Sequence, residues 1–179
     1  SDIEQKAREA GINGFITKPL FKSRLINSFK EFLNKEQEAL KRMDTVFDSA
    51  VDFSGKTVLL VEDNELNAEI VREVLKMSGT RVEWVKNGKE AVEKVLCSED
   101  GYYDMIFMDI QMPVMDGYQA TKAIRASGRN DAQTIPIVAM TANAFIEDIS
   151  RAKKAGMTEY VTKPVDFVQL EQIMREFLL

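Results

Sequence analysis

The chain has 179 residues, 45% of them apolar and 30% charged, with a formal net charge of −5. That is the composition of a water-soluble globular chain, and with no basic block it gives no footing for a nucleic-acid backbone. No apolar run approaches the ~20 residues needed to cross a bilayer, and the N-terminus carries no signal-peptide pattern. There is no histidine at all, which excludes Ser-His-Asp and Cys-His nucleophile systems, histidine-ligated metals and any phosphohistidine donor. Cys97 stands alone and permits no disulfide within one chain, which fits a reducing cytoplasmic setting. On a helix it reads as a small buried hydrophobe.

Residues 1–54 come first and repeat the end of the chain. Shifted by 145, Ala7–Leu33 lies over Ala152–Leu178 with ten identities in 27 ungapped positions, among them Thr17-Lys18-Pro19. Phe15 lies over Tyr160. Residues 1–34 therefore read as the C-terminal helix–strand–helix fragment of a preceding domain of the same kind. Residues 35–54 read as a charged linker. An apolar stripe at Leu25, Phe29, Phe32, Leu40, Met43 and Phe47 would let the helix continue to about Met43. Such a stripe calls for a cover, either helices of the main domain or the same segment of a second chain, a homodimer through residues 20–47. Deleting residues 1–54 is expected to leave the chemistry of the rest intact.

From residue 55 to 179 short apolar runs alternate with helical periodicity. Thr57–Val61 is followed by a helix over Asn64–Ser78 with Leu66, Ile70, Val71, Val74 and Leu75 apolar, stopped by Gly79. Val82–Val85 leads through an Asn87-Gly88 turn into a helix with Ala91, Val92, Val95 and Leu96 on one face. Met105–Met108 leads to Asp109 and a helix from about Gly117 to Ala126. Pro136–Met140 precedes a helix near Ile146–Ala155, and Tyr160–Thr162 precedes Lys163-Pro164 and a last helix, Phe167–Leu178. Five strand–helix units imply an α/β fold, a doubly wound five-stranded parallel sheet. In such sheets function collects at the carboxyl ends of the strands.

Glu62-Asp63 follow the first strand, Asp109 the third, Thr141 the fourth and Lys163 the fifth. Each alone is an ordinary helix cap or surface charge. In a flavodoxin-like order 2-1-3-4-5 they surround one crevice. Clustered carboxylates repel unless a hard cation joins them, and Mg2+ takes one or two carboxylates while keeping water and phosphate oxygens. With a lysine and a hydroxyl nearby, the set suits phosphoryl transfer to a carboxylate nucleophile.

Glu62-Asp63, Asp109 with Met112-Pro113 and Asp116-Gly117, Thr141-Ala142, and Tyr160 with Lys163-Pro164 together resemble the response-regulator receiver family over about 125 residues. The runs VLLVEDNELNAEIV and DIQMPVMDGYQATKAIR are similar to receivers at the ends of hybrid sensor histidine kinases. The resemblance implies that Asp109 accepts a phosphoryl group from a phosphohistidine on a histidine kinase or histidine phosphotransfer domain. It implies Mg2+ on Asp63, Asp109 and the Gln111 carbonyl, with Glu62 acting through water. Lys163 would pair with the phosphoryl group, with a cis Lys163-Pro164 bond. Thr141 and Tyr160 would form a switch pair, and Gln111 and Asn143 would tune the loss of the phosphoryl group to water. Phosphotransfer and dephosphorylation would be self-catalysed, in a parent hybrid kinase rather than a stand-alone enzyme. With no helix-turn-helix before Leu179, no transcriptional output of its own is expected.

Other readings are weaker. A purely scaffolding module would tolerate the loss of a site residue, and none is missing. A nucleotide- or flavin-binding flavodoxin-like domain would want a Gly- or Ser/Thr-rich loop where Glu62-Asp63-Asn64-Glu65 would repel phosphate. An aspartyl phosphatase would want a second aspartate where Gln111 stands.

Overall fold

The structure, a computed structural model, describes residues 51–142, 145–165 and 167–179. The proposed fragment, most of the linker, the dimer segment and Asn143 lie outside them. The elements are β1 (Thr57–Val61), α1 (Glu65–Met77), β2 (Arg81–Val85), α2 (Gly88–Cys97), β3 (Met105–Asp109), α3 (Gly117–Arg125), α4 (Asn130–Thr134), β4 (Ile137–Thr141), α5 (Ile146–Ala155), β5 (Glu159–Thr162) and α6 (Phe167–Leu178). The sheet is parallel throughout, in the order β2-β1-β3-β4-β5.

Every residue of β1, β3 and β4 is buried, because helices cover both faces of these strands. Side chains alternate between the faces. Val58, Leu60, Phe107, Met140 and Val161 pack with Ala68, Val71 and Leu75 of α1 and Leu170, Ile173 and Met174 of α6. Leu59, Val61, Ile106, Met108 and Ala139 pack with Val95 of α2, Ile124 of α3 and Ala152 of α5. Phe53, which the sequence reading leaves in the linker, is 1% exposed and packs on the α1–α6 side, its N–H donating to the Ser78 carbonyl at 2.9 Å.

Side-chain caps set the starts of α1, α2 and α3. Asn64, Asn87 and Asp116 each accept from the backbone N–H three residues on, and Asp116 with Gln119 forms a capping box. Gly156, at φ 102°, ends α5 in the left-handed region.

Three points correct the sequence reading or go beyond it. Leu66 and Ile70, two of the apolar residues of α1, form with Met77 an outward line, while Ala68, Val71 and Leu75 take the inward face. Leu96 and Cys97, in the last turn of α2, are exposed, since the inward positions there are Ala91 and Val95. The short helix α4 was not anticipated; its sequence NDAQT has no apolar period, and Arg125, donating to the Ala132 carbonyl at 2.9 Å, ties it to α3.

Candidate functional site

The sheet reverses its winding between β1 and β3, and a crevice opens at the carboxyl ends there. Glu62 and Asp63 leave β1, Asp109 ends β3, Thr141 ends β4, and Lys163 follows β5 after Thr162. They line one cleft of about 190 Å³ together with Asn64, Asn67 and Gln111. Lys163 Nζ lies 2.7 Å from Glu62 Oε2 and 2.8 Å from Asp109 Oδ2. The other oxygens accept from backbone: Asp109 Oδ1 from the Gln111 N–H at 3.2 Å, Glu62 Oε1 from the Asn64 N–H at 3.1 Å. The Lys163 N–H donates to the Thr141 carbonyl at 2.7 Å, and the Lys163–Pro164 peptide is cis.

Glu62 is 2% and Asp109 4% exposed. Burial pushes the Asp109 carboxyl up to about 6, with Glu62 adding to the rise and Lys163 and the Gln111 N–H opposing it. Burial opposes the charge on Lys163 too, but Asp109 and Glu62 outweigh it and hold the ammonium above its usual value. One carboxylate oxygen from each of Glu62, Asp63 and Asp109 lies within 4.8 Å of the others. Oxygens around an octahedral Mg2+ sit about 3–4 Å apart, so an ion held by two of these carboxylates leaves the third within reach of a water in its shell. The donor set, hard oxygens with Asp63 exposed for water to join, fits that ion.

Tyr160 is partly buried and stands on β5 beside Ala139 of β4, against the α2–α3–α5 core. A second cavity, about 370 Å³, adjoins the cleft and shares Gln111 and Thr141 with it. It is lined by Met112, Asp116 and Tyr118 on one side and Asp148 and Arg151 on the other.

Three features escaped the sequence reading. A Cβ on Gly117 would lie 2.3 Å from the Asp109 carbonyl oxygen, so only glycine lets α3 start against the end of β3. The Asp116-Gly117 pair was noted, but that close approach has no local signal. Val114 sits at φ 70° in a tight turn closed by the Met115 N–H to the Pro113 carbonyl at 2.8 Å. This γ-turn geometry is strained for a β-branched residue, and nothing in the run QMPVMDG announces it. Trp84, on the edge strand β2, donates its indole N–H to the Glu62 carbonyl at 2.8 Å.

The model of the response regulator receiver domain matches residues 58–175. The osmosensing histidine protein kinase SLN1 of Saccharomyces cerevisiae is 36% identical over 157 residues, covering 85% of this chain and 13% of that protein. The matched segment spans only about 5% to 15% of the length of the curated histidine kinases to which the chain is similar. Among solved structures, the receiver domain of sensor histidine kinase PA1611 from Pseudomonas aeruginosa, with a magnesium ion coordinated in its active-site cleft, is 38% identical. The alignment has a TM-score of 0.63 and covers 70% of this chain and 98% of that one. The receiver domain of Ssk1, crystallised with the S. cerevisiae histidine phosphotransfer protein Ypd1, is represented at 34% identity and a TM-score of 0.62, covering 70% and 90%. This chain belongs to the response regulator receiver family, and residues 58–175 are a receiver domain of two-component signalling. Among the described residues, no helix is long and apolar enough to cross a membrane.

Proposed function

We propose that Asp109 is the phosphoacceptor of a phosphorelay. The observation that carries this is the convergence of Asp109 with Glu62, Asp63 and Lys163 at one switch point. An oxygen of Asp109 attacks the phosphorus of a phosphohistidine on a histidine kinase or phosphotransfer domain; an O–P bond forms, the N–P bond breaks, and its electron pair returns to the imidazole. Asp63, Asp109 and the Gln111 carbonyl would hold Mg2+, with Glu62 acting through water. The ion would supply positive charge for phosphoryl oxygens. Lys163, already 2.8 Å from Asp109, neutralises a further phosphoryl oxygen. Thr141 donates its hydroxyl to the new group, and Tyr160 moves inward behind it. Gln111 and Asn143 set how readily water reaches the phosphorus.

The histidine kinases among the relatives support placing this domain in a parent hybrid kinase on the cytoplasmic side. The internal repeat supports reading residues 1–34 as the end of a preceding receiver, joined by a linker over residues 35–54. The apolar stripe over residues 20–47 supports pairing with a second copy. The decisive experiment is phosphotransfer from a panel of phosphohistidine domains, scored by mass on Asp109, with beryllofluoride and Mg2+ as a stable mimic. Asp109→Asn is expected to abolish both labels; labelling that survives it refutes the assignment.

A further inference from the structure

We infer that Trp84 is a positioning residue for the acidic pair, holding the Glu62–Asp63 peptide in the orientation a bound Mg2+ requires; this rests on the metal reading above. The reason lies in how the ladder ends. In a parallel pair, a residue that donates its N–H to one partner residue accepts from the N–H two residues further on. The Glu62 N–H donates to the Val85 carbonyl at 3.2 Å, so its own carbonyl is due the Asn87 N–H. Asn87 has turned away to cap α2. The Glu62 carbonyl, on a residue 2% exposed, would be left without a partner, which is costly. The Trp84 indole N–H fills that place at 2.8 Å.

The ring is itself held. Trp84 packs on the α1–α6 side of the sheet, with the Arg72 guanidinium 5.6 Å and the Lys86 ammonium 5.2 Å from its centroid. Among the described residues, Arg72 Nε is a buried nitrogen with no hydrogen-bond partner, and the ring face lies beside its guanidinium. The chain of contacts therefore runs from α1 through Trp84 to the peptide carrying Asp63. Glu62 is fixed at four points: its N–H, its carbonyl and both carboxylate oxygens. Asp63 is the exposed member of the acidic trio, and its direction follows from the peptide plane whose oxygen Trp84 holds.

The test is Trp84→Phe in the full chain, which keeps an aromatic ring under the two cations and deletes the N–H. Calorimetric titration with MgCl2 should show Mg2+ binding weakened about three- to tenfold, the loss of one hydrogen bond to a buried carbonyl. In the unsubstituted chain, whose only tryptophan is Trp84, fluorescence should shift on Mg2+ titration with the calorimetric midpoint. Asp63→Asn should abolish that shift. Mg2+ affinity within twofold of the parent in a folded Trp84→Phe overturns the role of Trp84 while leaving the metal reading intact. If the variant does not fold, fluorescence decides: an unresponsive Trp84 in a chain that binds Mg2+ overturns it equally. No Mg2+ binding by the parent chain overturns the metal reading itself.

Discussion

Asp109→Asn keeps the shape of the side chain and removes a charge that the fold disfavours. With Lys163 2.8 Å away, the carboxyl is still raised from 3.8 to about 6, because burial and Glu62 outweigh the lysine. The sign follows from linkage. A carboxyl raised in the folded state favours folding when protonated; that contribution is full below about pH 3.8 and lost as pH rises through about 6. A rise from 3.8 to about 6 corresponds to about 3 kcal/mol. An amide stands in for the protonated form, and Lys163 keeps Glu62 at 2.7 Å. Asp109→Asn is therefore expected to be more stable than the parent by about 3 kcal/mol at pH 7.5, with most of that difference gone near pH 4. Urea unfolding of both full chains in EDTA at pH 4, 5.5 and 7.5 measures this. Added Mg2+ should then narrow the gap from the parent's side, by about 2.7 kcal/mol at a hundredfold excess over its dissociation constant. A gap that is absent, or independent of pH, refutes the claim that burial of this carboxylate dominates its energetics.

Gly117→Ala, which puts a methyl into the Asp109 carbonyl, should destabilise the fold by about 1–3 kcal/mol in urea and weaken beryllofluoride binding. Val114→Gly should relieve strain of about 1–3 kcal/mol against about 0.5–1 kcal/mol of glycine entropy; a stabilisation of about 1 kcal/mol in urea is expected, and a loss would show that the valine side chain packs usefully. Glu83 accepts from the Tyr102 and Tyr103 hydroxyls at 2.7 Å each and from Lys94 at 3.1 Å, and the two tyrosines above all hold its carboxyl down to about 2. That contribution is present above about pH 4.5 and lost as pH falls toward 2, so unfolding curves of the parent and Glu83→Gln should converge over that window from a difference of about 1–2 kcal/mol, allowing for partial exposure.

The sheet was legible because β1, β3 and β4 are buried along their whole length, so their apolar runs admit one reading. The placement of Glu62, Asp63, Asp109, Thr141 and Lys163 was legible because strand order alone brings those strand ends together. What escaped depends on contacts distant in sequence. The helix α4 is held by Arg125 and by Asp131, paired with Arg129 at 2.7 Å, and has no periodicity of its own. Arg129 also donates to the Val95 and Ser98 carbonyls at 2.6 and 2.7 Å, closing the end of α2 from across the chain. On α1 the helix was legible and its facing was not. Leu66 and Ile70 share the helix with Ala68, Val71 and Leu75, and periodicity alone does not say which line the sheet covers.

The distribution of charge across the sheet bears on how a signal could leave the site. The carboxylates come from β1 and β3, while Lys163 comes from the β5 edge and crosses the end of β4 to reach them. Its backbone N–H is bonded to the Thr141 carbonyl, so its main chain and the end of β4 are coupled at 2.7 Å. Under the proposed chemistry, a phosphoryl group on Asp109 draws the ammonium from Glu62 toward new oxygens. That pull acts on the Lys163 backbone and, through this bond, on Thr141. Tyr160, on β5, lies three residues before Lys163, its carbonyl accepting from Gln169 of α6 at 3.4 Å. A charge change in the cleft thus reaches β5 and α6 through covalent chain and two hydrogen bonds. The central strands, buried on both faces, have no room to follow. The expected consequence is that movement on activation concentrates at the β4–β5 side of the sheet and leaves β1 and α1 in place.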